Sequence, residues 1–141
     1  MEPTKNKTFI ALDVGERRIG VALINEIARI AEALDVVKTD SIDVFGIIRA
    51  IIQEHQADGV VVGLPRGLDG QETAQTKYCQ DFAQKLKAEI QLPVYMIDEA
   101  GTSIAADERI LKGSGTDRDS VAAAILLEDF VSHTNKEELE I

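Results

Sequence analysis

Short, nearly continuous apolar runs alternate along the chain with longer stretches in which apolar residues recur at helical spacing. The runs at 9–12 and 19–23 flank Gly15 and a charged turn, which predicts a hairpin of two strands. Residues 29–38 alternate roughly between apolar and polar, which predicts a third antiparallel strand. The chain is therefore expected to begin with a β-meander.

Predicted helices and buried strands alternate along the rest of the chain. The predicted helices are 42–55, 72–89, 103–112 and 118–131, and the predicted strands are 60–64 and 94–97. Both strands are short and apolar, which is typical of parallel strands covered on two faces. A meander followed by such alternation predicts an α/β fold with a five-stranded mixed sheet in the order 3-2-1-4-5, flanked by helices.

The boundaries of this fold follow from length and capping residues. The chain has 141 residues, which suits a single domain over 1–141 with a core at about 7–132. Thr39, Asp40 and Ser41 offer caps for the first helix, which we expect to start at Ile42. The acidic tail at 133–141 is expected to fray.

Composition narrows the functional classes. The net charge of -10 disfavours a protein that holds nucleic acid by clustered cations. Carboxylates that converge on a divalent ion form a locally cationic centre, so the charge is compatible with a nuclease that binds its substrate weakly. No apolar run approaches the roughly 20 residues of a membrane span, and a single cysteine, Cys79, suits a reducing compartment. We therefore expect a cytoplasmic protein with no membrane contact.

Three acidic residues come where predicted elements begin or end. Asp13 ends the first strand, Glu99 follows the last strand, and Asp119 opens the last helix. Ligand sites in open α/β sheets lie beyond the carboxyl ends of strands, so the three carboxylates can converge on Mg²⁺ or Mn²⁺. Each also has a plainer interpretation: an Asx turn before Gly15, a solvated strand end, and a capping box with Thr116. Their joint occurrence favours a two-metal phosphoryl-transfer site.

Four motifs in this order resemble the YqgF/RuvX family across residues 8 to 131. They are Asp13-Val-Gly15 with Arg18-Ile-Gly20-Val-Ala22, Val62-Gly63-Leu64-Pro65 with Leu68-Asp69-Gly70, Asp98-Glu99 with Thr102-Ser103, and Asp119-Ser120 leading to Glu128. That family consists of small RNase H-like proteins, also described as Holliday-junction-resolvase-like and as pre-16S rRNA nucleases.

The resemblance implies an RNase H-like fold and a metal-dependent endonuclease. Its catalytic and metal-binding acids would be Asp13, Glu99 and Asp119, with Mg²⁺ or Mn²⁺ as cofactor and Asp13 bridging the ions. Its substrate would be structured RNA, at the 5′ end of pre-16S rRNA, or branched DNA, bound weakly by a monomer or homodimer. The expected substrate-binding residues are Arg17, Arg18, Arg66, Thr102 and Arg118.

Departures from the family pattern keep other classes open. Ala100 stands where the family usually has arginine, Ala122 replaces a serine, and Asp117 adds an acid before Arg118. A binding or scaffolding protein with a weakened site is therefore the main alternative. An actin-like ATPase is a third class, because residues 13–22 also resemble its first phosphate loop. That class needs two lobes, which 141 residues do not supply.

Overall fold

The computed structural model of the chain describes residues 7–27, 31–65, 70–98, 118–132 and 136–141. The strands are β1 (Thr8–Val14), β2 (Arg18–Asn25), β3 (Ala31–Ala33), β4 (Val37–Lys38), β5 (Gly59–Leu64) and β6 (Val94–Asp98). The helices are α1 (Val44–His55), α2 (Ala74–Glu89) and α3 (Arg118–Ser132), with a 3₁₀ turn at Lys136–Leu139. The helix predicted at 103–112 lies outside the described residues.

One mixed sheet carries all six strands, in the order β3-β2-β1-β5-β6, with β4 also paired to β2. β1 and β2 form the predicted antiparallel hairpin, whereas β5 and β6 join parallel to β1 and to each other. Leu12, Val62 and Met96 lie in one row across the three parallel strands. The predicted order is therefore confirmed, with β1 in the interior of the sheet.

The prediction of one continuous third strand was wrong. Ala33 pairs with Ala22 and Val37 pairs with Ile19. The segment from Ala33 to Val37 therefore advances by four residues where β2 advances by three. The extra residue breaks the ladder as a β-bulge does, and the Leu34 amide bonds across this gap to the Val21 carbonyl oxygen at 2.7 Å. Two short strands, β3 and β4, result.

Side-chain alternation along β1 divides the core into two layers. Ile10, Leu12 and Val14 belong to the cluster that packs against α1 and α2. Phe9 and Ala11 face the opposite way and pack in the cluster that contains α3. Both layers are dry, since Leu12 and Val61 are fully buried and Ile97 is 4% exposed, as their positions in the apolar runs predict.

Two helix starts differ from the predictions by two residues each. α1 begins at Val44, because the Asp43 side chain caps it by accepting a hydrogen bond from the Gly46 amide. Ile42 is left outside the helix and fully exposed. α2 begins at Ala74 after a capping box between Thr73 and Thr76. In both cases the nearest capping side chain set the boundary rather than the first apolar residue.

The acidic tail does not fray as predicted. Glu140 forms an antiparallel bridge with Tyr95, and the Ile141 amide donates to the Val94 carbonyl oxygen at 2.9 Å. Leu139 packs with the α3 cluster and Ile141 with the other one. Two apolar residues among the acids are enough to dock this segment along β6. No helix in the described ranges is long and apolar enough to cross a membrane.

Candidate active site

Asp13 lies near the carboxyl end of β1, on the sheet face that α3 covers. It follows Phe9 and Ala11 on that face, and it is half-buried where Ala11 is fully buried. Its partner across the antiparallel ladder is Gly20. On the parallel side, the β1–β5 ladder ends with the pair Leu12 and Val62, so the next residue of β5, Gly63, lies level with Asp13. Glycine on both sides means that the positions of β2 and β5 directly level with Asp13 carry no side chain.

The turn after Asp13 requires glycine. The Gly15 amide donates to the Arg18 carbonyl oxygen at 2.8 Å, and a Cβ atom at position 15 would lie 2.8 Å from that same oxygen. Thr39 holds the tip of the hairpin from the β4 side. Its hydroxyl donates to the Glu16 carbonyl oxygen at 2.6 Å and its amide to the Arg17 carbonyl oxygen at 3.0 Å. The two arginines therefore extend from a fixed backbone.

Arg17 and Arg18, which the sequence predicts as phosphate contacts, are both exposed at this tip. Arg18 precedes Gly20 by two residues on β2, so it is the diagonal neighbour of Asp13 on the same sheet face. Diagonal neighbours lie about 7 to 8 Å apart, within reach of a long side chain. The hairpin thus brings a cation beside the predicted catalytic carboxylate.

The first turn of α2 fastens the carboxyl ends of two strands. Gln75 Nε2 donates to the Val14 carbonyl oxygen at 3.0 Å, and the Thr76 hydroxyl donates to the Pro65 carbonyl oxygen at 2.5 Å. Cys79 is buried and lies with its sulfur 3.5 Å from the Val14 oxygen. Sequence analysis missed these contacts. The only available signal was the T-x-x-T capping pattern, which locates a helix start but not its long-range partners.

Strand β6 ends beside this site. Gly63 pairs with Ile97, which places Ile97 at the level of Asp13 and Asp98 one residue beyond it. Ile97 packs in the α3 layer, so Asp98, the next residue in the strand, alternates to the α2 side, where it is exposed. The next residue, Glu99, lies outside the described residues.

The C-terminal part of α3 packs at the amino ends of β1 and β6. Phe130 packs against Phe9, with ring centroids 5.1 Å apart, and against Tyr95, at 4.9 Å. Both rings belong to the amino ends of their strands. The helix from Phe130 back to Asp119 spans about 16 Å, and β1 from Phe9 to Asp13 spans about 13 Å. A helix running antiparallel to β1 would therefore bring the Asp119 backbone toward the carboxyl end of β1, as the sequence predicts.

Other predicted site residues fall outside what the structure describes. Glu99, Arg66 and Thr102 lie in undescribed segments, and for Arg118 and Asp119 only the helical backbone is described. Among the described side chains, no three His, Cys, Asp or Glu residues come together as a metal-binding group. The convergence of the three acids therefore stays a prediction.

An interior strand that ends in a carboxylate, within a 3-2-1-4-5 type mixed sheet covered by helices on both faces, is the architecture of the RNase H-like fold. The family model RuvX, described as Holliday junction resolvase, matches residues 7–133. The chain belongs to the RuvX family.

Relatives and solved structures agree with this assignment. A Bordetella pertussis protein named "Putative pre-16S rRNA nuclease" is 36% identical over 126 residues, covering 89% of this chain and 93% of its own. A Ralstonia pickettii protein of the same name is 40% identical over 125 residues, covering 87% and 85%. Thermus thermophilus RuvC in complex with a Holliday junction substrate superposes with a TM-score of 0.55 at 20% identity, covering 88% of this chain and 93% of RuvC. The chain is thus a member of a family of nucleases, which are phosphodiester hydrolases.

Proposed function

We propose that this protein is a metal-dependent endonuclease of modest rate that cleaves structured RNA, at the 5′ end of pre-16S rRNA, or branched DNA. It would act in the cytoplasm as a monomer or homodimer. One observation carries the proposal: Asp13 stands at the carboxyl end of an interior strand with glycine on either side of it. A phosphodiester can approach such a carboxylate without meeting a side chain from the directly level positions of the adjacent strands.

The proposed ligands suit a hard divalent ion. Asp13, Glu99 and Asp119 would hold Mg²⁺ or Mn²⁺, since these ions prefer carboxylate oxygens on rigid elements. A strand end and a helix start provide that rigidity for Asp13 and Asp119. When bound, such ions supply Lewis-acid stabilisation of the charge that develops on the phosphodiester.

The remaining roles belong to side chains that bind and orient. Arg17 and Arg18 would contact phosphates from the hairpin tip, which Thr39 keeps in place. Arg66 and Arg118 would add phosphate contacts, and Thr102 would position the strand or a water molecule. Gln75 acts through the backbone, because its bond to Val14 fixes the residue that follows Asp13.

A weakened binding or scaffolding protein is the second candidate. Ala100 and Ala122 lack the basic group and the hydroxyl that the family pattern usually places near the acids, and the net charge of -10 disfavours tight nucleic-acid binding. This candidate predicts partner binding without turnover. The two candidates therefore differ in one measurable property, cleavage above background.

The decisive experiment compares two aspartates at neighbouring strand ends. Purified parent, Asp13→Asn and Asp98→Asn proteins are incubated with structured RNA and with four-way DNA junctions in Mn²⁺. Asp98 is the matched control, because it ends β6 but lies on the opposite face of the sheet. Cleavage that is lost in Asp13→Asn and retained in Asp98→Asn is the expected result. No cleavage by the parent, or equal activity in all three proteins, would reject the nuclease assignment.

A further inference from the structure

A second cation lies beyond Arg18 on the side of the sheet that carries Asp13. In the short β2–β4 ladder, Arg18 pairs with Lys38 and Ile19 pairs with Val37. Ile19 and Val37 both point into the α1–α2 layer. The adjacent residues, Arg18 and Lys38, therefore lie on the Asp13 face.

The three residues lie on three neighbouring strands, with Arg18 level with Lys38 and one diagonal step from Asp13. Asp13 is on β1, Arg18 on β2 and Lys38 on β4, so two inter-strand spacings, about 10 Å, separate the first strand from the last. Both cations are exposed. They line a groove of about 490 Å³, together with Glu16, Arg17, Thr39 and Asp40.

The β2–β4 ladder places two cations, Arg18 and Lys38, directly opposite each other. Like charges directly opposite each other on neighbouring strands destabilise a sheet. Within the part of the chain that the structure describes, the Lys38 ammonium forms no ion pair, although Glu16 and Asp40 line the same groove. In a protein with a net charge of -10, this groove places Arg17, Arg18 and Lys38 together at the β4 edge of the sheet, two strands from Asp13.

We propose that Arg18 and Lys38 form a cation track that carries the phosphodiester backbone of the substrate from Asp13 across β2 and β4 to the sheet edge. Lys38 would hold a phosphate on the flank of the reacting one. This inference rests on the proposed nuclease function and adds to it the path of the nucleic acid. Because the contacts are to phosphate, RNA and DNA strands share the chemistry that the track recognises.

The backbone that carries the track is fixed before any ligand arrives. Thr39 joins the end of β4 to the hairpin tip by its two bonds to the Glu16 and Arg17 carbonyl oxygens. The Ser41 hydroxyl donates to the Lys38 carbonyl oxygen at 2.7 Å. Little backbone entropy remains to be lost when a strand binds, which favours a phosphate contact by a flexible lysine.

The test measures binding without cleavage. Fluorescence anisotropy in EDTA compares parent, Lys38→Gln and Lys85→Gln proteins on RNA and DNA duplexes of equal length, across a salt series. Lys85 is the matched control, an exposed lysine on α2, which packs on the other face of the sheet. Losing one phosphate contact should make the negative slope of log K against log salt less steep, by about 0.9. The loss of affinity should therefore be about 3.5-fold larger at about 50 mM than at about 200 mM salt.

The outcomes separate this inference from the nuclease assignment. A salt-dependent loss on both duplexes for Lys38→Gln, with Lys85→Gln unchanged, supports the track whether or not the protein cleaves. If Lys38→Gln and Lys85→Gln behave alike, the track is rejected, while cleavage that depends on Asp13 would still stand. A loss confined to one kind of duplex also rejects it, because a phosphate contact does not distinguish the sugars. A Lys38→Glu variant should weaken binding further than Lys38→Gln.

Discussion

The side chain of Gln75 donates a hydrogen bond of 3.0 Å to the main-chain carbonyl oxygen of Val14, 61 residues earlier in the chain. This bond joins the first turn of α2 to the residue that follows Asp13. It reaches from α2 to the end of the central strand. The β1–β5 ladder ends at the pair Leu12 and Val62, so this bond holds β1 beyond the point where its pairing with β5 stops. The position of Asp13 therefore depends on a helix that contributes no acid to the site.

Gln75→Ala should lower the free energy of unfolding by about 1 kcal/mol, the usual net contribution of a neutral hydrogen bond. Urea denaturation measures this loss. Gln84→Ala is the matched control, because Gln84 lies on the same helix and is exposed. The control should change stability by less than about 0.5 kcal/mol. Equal effects of the two variants would show that the bond to Val14 contributes nothing.

Gly15→Ala should open the hairpin tip. The new Cβ atom would lie 2.8 Å from the Arg18 carbonyl oxygen, closer than real contacts allow, so the turn must shift. Overpacking of this kind costs about 1 to 3 kcal/mol, which thermal or urea unfolding detects. Glu16→Ala, at the exposed next position, should leave stability nearly unchanged. A Gly15→Ala protein as stable as the parent would contradict the turn geometry.

Tyr95 should make the protein less stable at high pH. Burial, followed by the charges of Glu140, Glu137 and Glu26, raises the pKa of Tyr95 above its ordinary value of 10.0. The folded state thus binds the phenolic proton more tightly than the unfolded state does. Its contribution to stability is complete below pH 10 and is lost as the pH rises through the raised folded-state pKa.

Tyr95→Phe should remove that part of the alkaline decline. Urea unfolding of parent and variant at a series of alkaline pH values measures it, with Tyr78→Phe as the control at an exposed tyrosine. The decline should become shallower in Tyr95→Phe and stay unchanged in Tyr78→Phe. A parent and a Tyr95→Phe variant with parallel curves would rule out the linkage.

Restoring two family residues should raise the cleavage rate. Ala122 is 5% exposed in α3, and a serine there can bond the carbonyl one turn earlier, so Ala122→Ser is compatible with the helix. Combined with Ala100→Arg, it should speed cleavage of structured RNA in Mn²⁺ by about 10-fold or more, the scale on which single charge-stabilising donors act. An Ala100→Gln, Ala122→Ser pair controls for side-chain size without the charge. No gain over that control would show that the missing arginine does not limit the rate.

The sheet order could be predicted because it depends on strong, local patterns. The apolar runs at 9–12, 60–64 and 94–97 are bounded by turns and separated by helical stretches, and all three became strands close to their predicted limits. Such patterns carry no information about single inserted residues. The bulge between Ala33 and Val37 adds one residue to a stretch that still alternates, so only its pairing with β2 reveals it.

The site was predicted only in part, for a related reason. Asp13 and Arg18 stand out in sequence because a strand end and a glycine turn mark them. Gln75 and Lys38 carry no such mark, since their importance comes from partners on distant elements, Val14 and Arg18. Glu99 and Asp119 were chosen from motif and topology, and their side chains lie outside the described structure. Their roles therefore stay predictions.

The docked segment at 136–141 also limits how copies of this protein can associate. Its bridge to Tyr95 and its bond to Val94 occupy the outer side of β6. At the opposite edge, β3 and β4 are too short and too interrupted by the bulge to offer a long template. Both margins of the sheet thus resist strand addition by another chain. A homodimer would have to form through helical surfaces or first displace residues 136–141, and loss of that segment would expose β6 to aggregation.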